Sequence, residues 1–144
     1  MFSKACEYGI KAMIYIATQS LEGKRVKIGD VAENSGSPEA FTAKVLGQLT
    51  KYNIVISQKG PNGGFEIEKG LMKDIKLTQI VFAIDGDSIY NGCGLGLEEC
   101  DANHPCPLHD QFYQIRFELK KMLETTSIFD LATKHKNGEI VLMR

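Results

Sequence analysis

The sequence predicts a mainly α fold with a small β-hairpin, on three observations. Apolar residues recur at three- and four-residue steps over most of the chain. Only residues 54–68 hold two short β-type runs, set around a Gly/Pro turn. No stretch approaches the ~20 apolar residues of a membrane span, so the chain reads as a soluble, cytosolic protein. At 144 residues, 43% of them hydrophobic, it can bury a core of its own. Lys and Arg number 17 against 18 Asp and Glu, which excludes a histone-like basic protein but not a local positive face.

The first helix runs from Lys4 to about Ser20, with Ser3 as its N-cap and Ala5, Tyr8, Ala12, Met13, Ile16 and Ala17 on its buried side. After Gly23-Lys24-Arg25, a short helix over Lys27–Asn34 turns Ile28, Val31 and Ala32 inward and stops at Ser35-Gly36. Ser37-Pro38-Glu39 then reads as an N-cap, a proline at the first helical position and an acid in the first turn of a third helix. Phe41, Val45, Leu46 and Leu49 form its buried stripe, with Thr42, Ala43, Lys44, Gln48 and Lys51 outward. Ile54–Gln58 and Gly64–Glu68 are expected as strands, joined by a turn in which Pro61 fixes one dihedral and Asn62-Gly63 supports positive φ.

Three helices followed by a hairpin is the order of a winged helix-turn-helix, whose third helix enters the DNA major groove while the wing lies along the backbone or minor groove. Residues 1–76 are therefore expected to bind DNA, although winged modules that bind proteins share this order. Candidate base-reading residues are Ser37, Glu39, Thr42, Ala43 and Lys44, with Lys59 and Asn62 in the wing. Lys4, Lys24, Arg25 and Lys27 could add phosphate contacts.

Residues 77–144 are expected to form one compact unit. Leu77–Ile84 predicts a short helix, ended by Asp85-Gly86-Asp87. Beyond Pro107, Phe112, Ile115, Leu119, Met122 and Leu123 recur at helical steps over a segment longer than so small a domain needs for its own core. That predicts a dimerisation helix and a homodimer. Ser127–Asp130 opens a final helix with a capping-box-like start, and the tail from His135 is expected to be loosely held.

Between these helices Cys93, Cys100 and Cys106 share a loop with Gly92, Gly94, Gly96, Pro105 and Pro107, and His109 stands just beyond. In a reducing compartment such cysteines point to metal ligation rather than to a disulfide framework. Zinc sites usually use close C-x2–4-C clips, whereas intervals of six and five residues suit a larger iron-sulfur cluster. Structural zinc and free thiols are the other readings. Cys6 stands alone and reads as a packed thiol.

Together, Cys6–Met13, Ile28–Glu33, the wing Lys59–Phe65 and the three-cysteine loop resemble the Rrf-two family of bacterial transcription regulators over essentially the whole chain. The resemblance implies a homodimer of winged helix-turn-helix subunits, joined by long C-terminal helices, that binds a double-stranded DNA operator. It implies an iron-sulfur cluster, 2Fe-2S ahead of 4Fe-4S, whose state sets DNA affinity and which aerobic purification can remove. Cys93, Cys100 and Cys106 match the cluster cysteines, with one extra residue in the first interval. His109 matches a histidine ligand of one branch, and Glu7 the position from which other branches supply a carboxylate across the dimer. Lys59 stands where the family often has arginine, Asn62 replaces a frequent glycine, and Ala43 is apolar where base-reading side chains are common, so the operator does not transfer.

The leading expectation is thus a cluster-controlled transcription regulator. An electron carrier does not need the winged module, and a repressor with a zinc-binding or thiol-sensing loop is the alternative. Gly92-x-Gly94-x-Gly96 neither follows a strand nor opens a helix as nucleotide fingerprints do, and no catalytic constellation is present. An enzyme with a small-molecule substrate is not expected.

Overall fold

The computed structural model describes residues 1–144 as seven α-helices, a short 3-10 helix (Lys69–Leu71) and one two-stranded antiparallel hairpin. α1 (Lys4–Leu21) lies at the centre, with α2 (Ile28–Ser35), α3 (Glu39–Lys51), α4 (Leu77–Asp85) and α7 (Ile128–Lys136) packed around it. This is why α1 is apolar on more than one side: Ala12, Met13, Ile14, Ile16 and Ala17 are all buried. Ser3 caps the helix by accepting from the Cys6 amide at 3.0 Å, and its hydroxyl donates to Asp85 at the end of α4 at 2.5 Å. No helix is long and apolar enough to cross a membrane.

α3 starts one residue later than the proline rule suggests. Pro38 is the N-cap rather than the first helical residue, and Ser37 lies outside the helix. The Ser37 hydroxyl is engaged by Ser35 at 3.1 Å and by Thr42, which leaves it unavailable as a cap. At the other end Asn53, the only non-glycine residue with positive φ (60°), closes a Schellman motif. The Asn53 amide donates to Thr50 O at 2.9 Å and the Ile54 amide to Leu49 O at 3.1 Å.

β1 (Ile56–Gln58) and β2 (Gly64–Glu66) pair Ile56 with Glu66, Ser57 with Phe65 and Gln58 with Gly64. Both strands are shorter than the β-type runs. Ile54 and Val55 turn into the core on leaving the α3 cap, and the Ile67 amide leaves the ladder to donate to Ser20 Oγ at 3.0 Å. Ser20→Ala strands that buried amide and is expected to cost about 1–3 kcal/mol, read as a lower midpoint of thermal unfolding. Val26 adds an isolated bridge to β2 by exchanging two backbone hydrogen bonds with Phe65, at 3.1 and 2.8 Å.

The wing turn closes through the Gly63 amide and Gly60 O at 3.0 Å. Positive φ falls on Gly60 (104°) and Gly64 (137°) rather than on Asn62 or Gly63. With Pro61 and Asn62 as central residues of negative φ, the turn has the type I pattern, which proline in the first central position favours.

The second half folds back onto the first. The Leu77 amide donates to Thr126 O at 3.0 Å and the Ile128 amide to Ile75 O at 2.8 Å, so the entries to α4 and α7 are stitched together. Ser127 caps α7 by accepting from the Asp130 amide at 3.1 Å. Contrary to the expected loose tail, α7 continues through His135, whose Nδ1 lies 3.1 Å from Thr18 Oγ1, and Leu142 packs against the core. Burial of Ile128 and Ala132 supplies the anchoring absent from the tail's own sequence. One continuous core contains residues from both halves, from Cys6 to Ala132.

Candidate metal centre and nucleic-acid interface

On α3, Glu39, Ala43 and Lys44 are exposed and Ser37 is half-buried. Thr42 is not available to DNA: it is 1% exposed, and its hydroxyl donates to Pro38 O at 2.9 Å. The later helix start and the Ser37 contact turn the Thr42 side chain inward, where the sequence spacing had it outward. Lys59 and Asn62 are exposed on the wing. Lys27 donates to Gly60 O at 3.0 Å, and Arg25 pairs with Glu66 at 3.2 Å, fixing the wing against the segment before α2. Lys24, Arg25 and Lys27 line a groove of about 480 Å³ together with Pro61, Asn62, Gly63 and Glu66. Cations beside an exposed wing suit a phosphate backbone.

The cysteine loop joins α5 (Ser88–Asn91), a short helix not expected from the sequence, to α6 (His109–Thr125). Cys93, Cys100 and Cys106 are all free thiols and half-buried. The Leu97 and Leu95 amides, with a smaller contribution from the neighbouring Cys106 side chain, hold the Cys93 thiol below its ordinary pKa. Cys100 Sγ lies 3.5 Å from His109 Nδ1. The loop therefore sets Cys106 beside Cys93 and Cys100 beside His109. No three His, Cys, Asp or Glu side chains converge tightly enough to hold a single ion.

Arg116, 8% exposed on α6, links to both ends of this arrangement. Its guanidinium donates to Cys100 Sγ at 3.0 Å and to the Gly92 carbonyl. Tyr90, His109, Tyr113 and Lys120 are among the other residues lining an adjacent cavity of about 380 Å³. At the loop tip, His104 and the Asn103 amide hold the Asp101 carboxyl below its ordinary pKa.

Glu7 lies apart from this cluster, on the first turn of α1, where it pairs with Lys4 at 3.1 Å. Its neighbour Cys6 is fully buried, and burial, followed by the Asp85 charge, pushes its thiol pKa up to about 12. In the folded protein Cys6 is expected to resist iodoacetamide at neutral pH while the loop cysteines react, as mass spectrometry would show. Because the folded thiol keeps its proton above the ordinary value of 9.0, Cys6 withdraws stability as pH rises from about 9 towards 12.

Residues 2–134 match the family model for Rrf2, described as an iron-dependent transcriptional regulator. The chain belongs to the Rrf2 family. It is 30% identical over 133 residues to a protein of Aquifex aeolicus described as an HTH-type transcriptional regulator, covering 91% of this chain and 90% of that one. It is 26% identical over 129 residues to the HTH-type transcriptional regulator IscR of Photorhabdus laumondii, covering 90% of this chain and 77% of the relative. Among solved structures, CymR, the global cysteine regulator of B. subtilis, superposes with a TM-score of 0.74 at 22% identity, covering 92% of this chain and 96% of CymR. These similarities establish an Rrf2 transcriptional regulator with the mainly helical, winged-helix fold.

Within this Rrf2 chain, sequence reasoning overlooked Arg116. The available signal was a basic residue inside the apolar stripe Phe112, Leu119 and Leu123. A long charged side chain at such a position needs a buried partner.

Proposed function

We propose that this Rrf2 protein is a homodimeric, DNA-binding regulator whose DNA affinity is set by an iron-sulfur cluster held in the loop 92–108. The observation that carries the reading is the 3.5 Å approach of Cys100 Sγ to His109 Nδ1 in the loop that also holds Cys93 and Cys106. Three cysteines and a histidine from one loop, soft thiolates with one imidazole, would suit the ligation of an iron-sulfur cluster, 2Fe-2S ahead of 4Fe-4S. His109 is the fourth ligand by proximity, and Glu7 could reach the loop only across a dimer. When bound, the cluster supplies a centre sensitive to redox state, nitric oxide and iron supply.

The chain's own residues connect that centre to DNA. Ligation orders a loop running directly into α6, and ligand binding can shift a protein only through such differential contacts. α6 and its N-cap carry an exposed apolar edge of Leu108, Ile115 and Met122, with Ile115 56% and Met122 45% exposed. A second copy packed along this edge would bury it and form a self-complementary interface. In each subunit Glu39, Ala43 and Lys44 face the major groove, Ser37 stands beside them, and Lys59 and Asn62 meet the backbone or minor groove.

Anaerobic purification, a visible absorption spectrum and analysis of iron, sulfide and zinc on the same sample test this reading. Brown protein containing iron and sulfide is expected. A colourless protein after anaerobic reconstitution would favour the second reading, a thiol-sensing repressor. That reading draws on the lowered pKa of Cys93 beside Cys106 and requires a Cys93–Cys106 disulfide under mild oxidant. Zinc in place of iron would point to a structural loop. An electron carrier would show no DNA affinity.

Lys59→Ala is expected to weaken binding to duplexes of any sequence. It should also lower the slope of log K against log salt by about 1 if the ammonium meets a phosphate. Titrations of labelled duplex at several salt concentrations would measure both effects, and an unchanged slope would remove Lys59 from the interface.

A further inference from the structure

We infer that Arg116 is a positioning residue that holds the ligand loop on α6 and supplies the counter-charge to the Cys100 sulfur. The inference rests on the reading of Cys100 as a cluster ligand. Its structural part, the clamp, stands without it.

The geometry is specific. Arg116 is the only charged residue in the chain's buried set, and it lies on the longest helix of the second half. One guanidinium nitrogen donates to Cys100 Sγ at 3.0 Å and another to the carbonyl of Gly92, immediately before Cys93. A single side chain thus ties the first and second cysteine segments of the loop to one helical position. A planar fork can serve a sulfur and a carbonyl together, whereas an ammonium reaches them one at a time.

Burial makes the pairing consequential. A guanidinium removed from water needs a negative or strongly polar partner, and no carboxylate lies within ion-pairing distance of it. The partners it has are the sulfur and the carbonyl. When that sulfur ligates iron, the adjacent cation and its N–H donor stabilise the more electron-rich state of the centre, because hydrogen bonds to cluster sulfurs raise the reduction potential. Lys120, which lines the same cavity, is exposed and screened, so its influence on the sulfur is smaller.

Two variants separate charge from geometry. Arg116→Gln removes the cation but keeps a donor, and Arg116→Lys keeps the cation but loses the fork. In the apo protein, hydrogen exchange of the backbone amides from 92 to 106 is expected to accelerate at least several-fold in both variants, with the amides of α1 and α4 unchanged. In the cluster-loaded protein, Arg116→Gln is expected to move the reduction potential to a more negative value, and Arg116→Lys to restore most of the shift while leaving the loop amides fast. Wild-type exchange rates in both variants would overturn the clamp. Faster exchange with an unmoved potential would overturn the counter-charge role. If the wild-type protein takes up no cluster at all, the functional reading fails on that observation, and the apo exchange experiment still decides whether Arg116 clamps the loop.

Discussion

Gly64→Ala is expected to lower stability by about 3 kcal/mol and to abolish DNA binding. Gly64 occupies φ 137°, where a side chain is strained, and a Cβ there would lie 2.6 Å from the carbonyl oxygen of Val26. That oxygen accepts the Phe65 amide at 2.8 Å in the bridge that ties Val26 to β2. The substitution therefore combines backbone strain of about 1–3 kcal/mol with overpacking of about 1–3 kcal/mol against a backbone atom that cannot rotate away. For a chain of this length about 3 kcal/mol corresponds to a fall of roughly 6–12 °C in Tm. If the wing detaches instead of the whole domain unfolding, the melting transition moves less, but the wing loses its purchase on the duplex. A calorimetric scan combined with a duplex titration covers both cases, and wild-type values in the two would show that the wing tolerates a side chain at this position.

Cys100→Ala is expected to abolish the visible chromophore while leaving the far-ultraviolet circular dichroism unchanged. Removal of the Cys100 thiol leaves His109 without its sulfur neighbour. The same change deprives the buried Arg116 of one of its two partners. A loss of about 1–3 kcal/mol accompanies an unsatisfied buried donor, so the apo variant should also melt below the apo wild type. A normal cluster in Cys100→Ala would show that this thiol is not a ligand. Equal melting temperatures would show that water replaces the sulfur at the guanidinium.

Features determined by neighbouring residues were legible in the sequence. Ser3 and Ser127 cap their helices as expected because a cap needs only an amide three residues ahead. The order of three helices and a hairpin followed from apolar spacing and from the Gly/Pro-rich segment 59–63, although its positive φ falls on Gly60 and Gly64 rather than on Asn62-Gly63. Features that depend on distant partners were not legible. Thr42 looked outward until the Ser37 contact and the shifted start of α3 drew it inside. The tail beyond His135 looked loose because Thr18, its partner, lies 117 positions earlier. At the cysteine loop the spacing announced a ligand set, but the approach of Cys100 to His109 and the clamp from Arg116, which bridges 16 residues to Cys100 and 24 to Gly92, exist only in three dimensions.

The anchored tail bears on how the protein can be handled and observed. Lys11, Gly36, Val141, Leu142, Met143 and Arg144 surround one shallow depression, and a Cβ on Gly36 would sit 2.9 Å from the Met143 sulfur. Gly36 is in the turn between the two helices of the helix-turn-helix. If α3 docks on DNA as proposed, a bulky group attached within residues 141–144 would sit beside the turn that leads into it and compete with the duplex for space. A small fluorophore at the same position would lie close enough to that turn to report operator docking by a change in its emission.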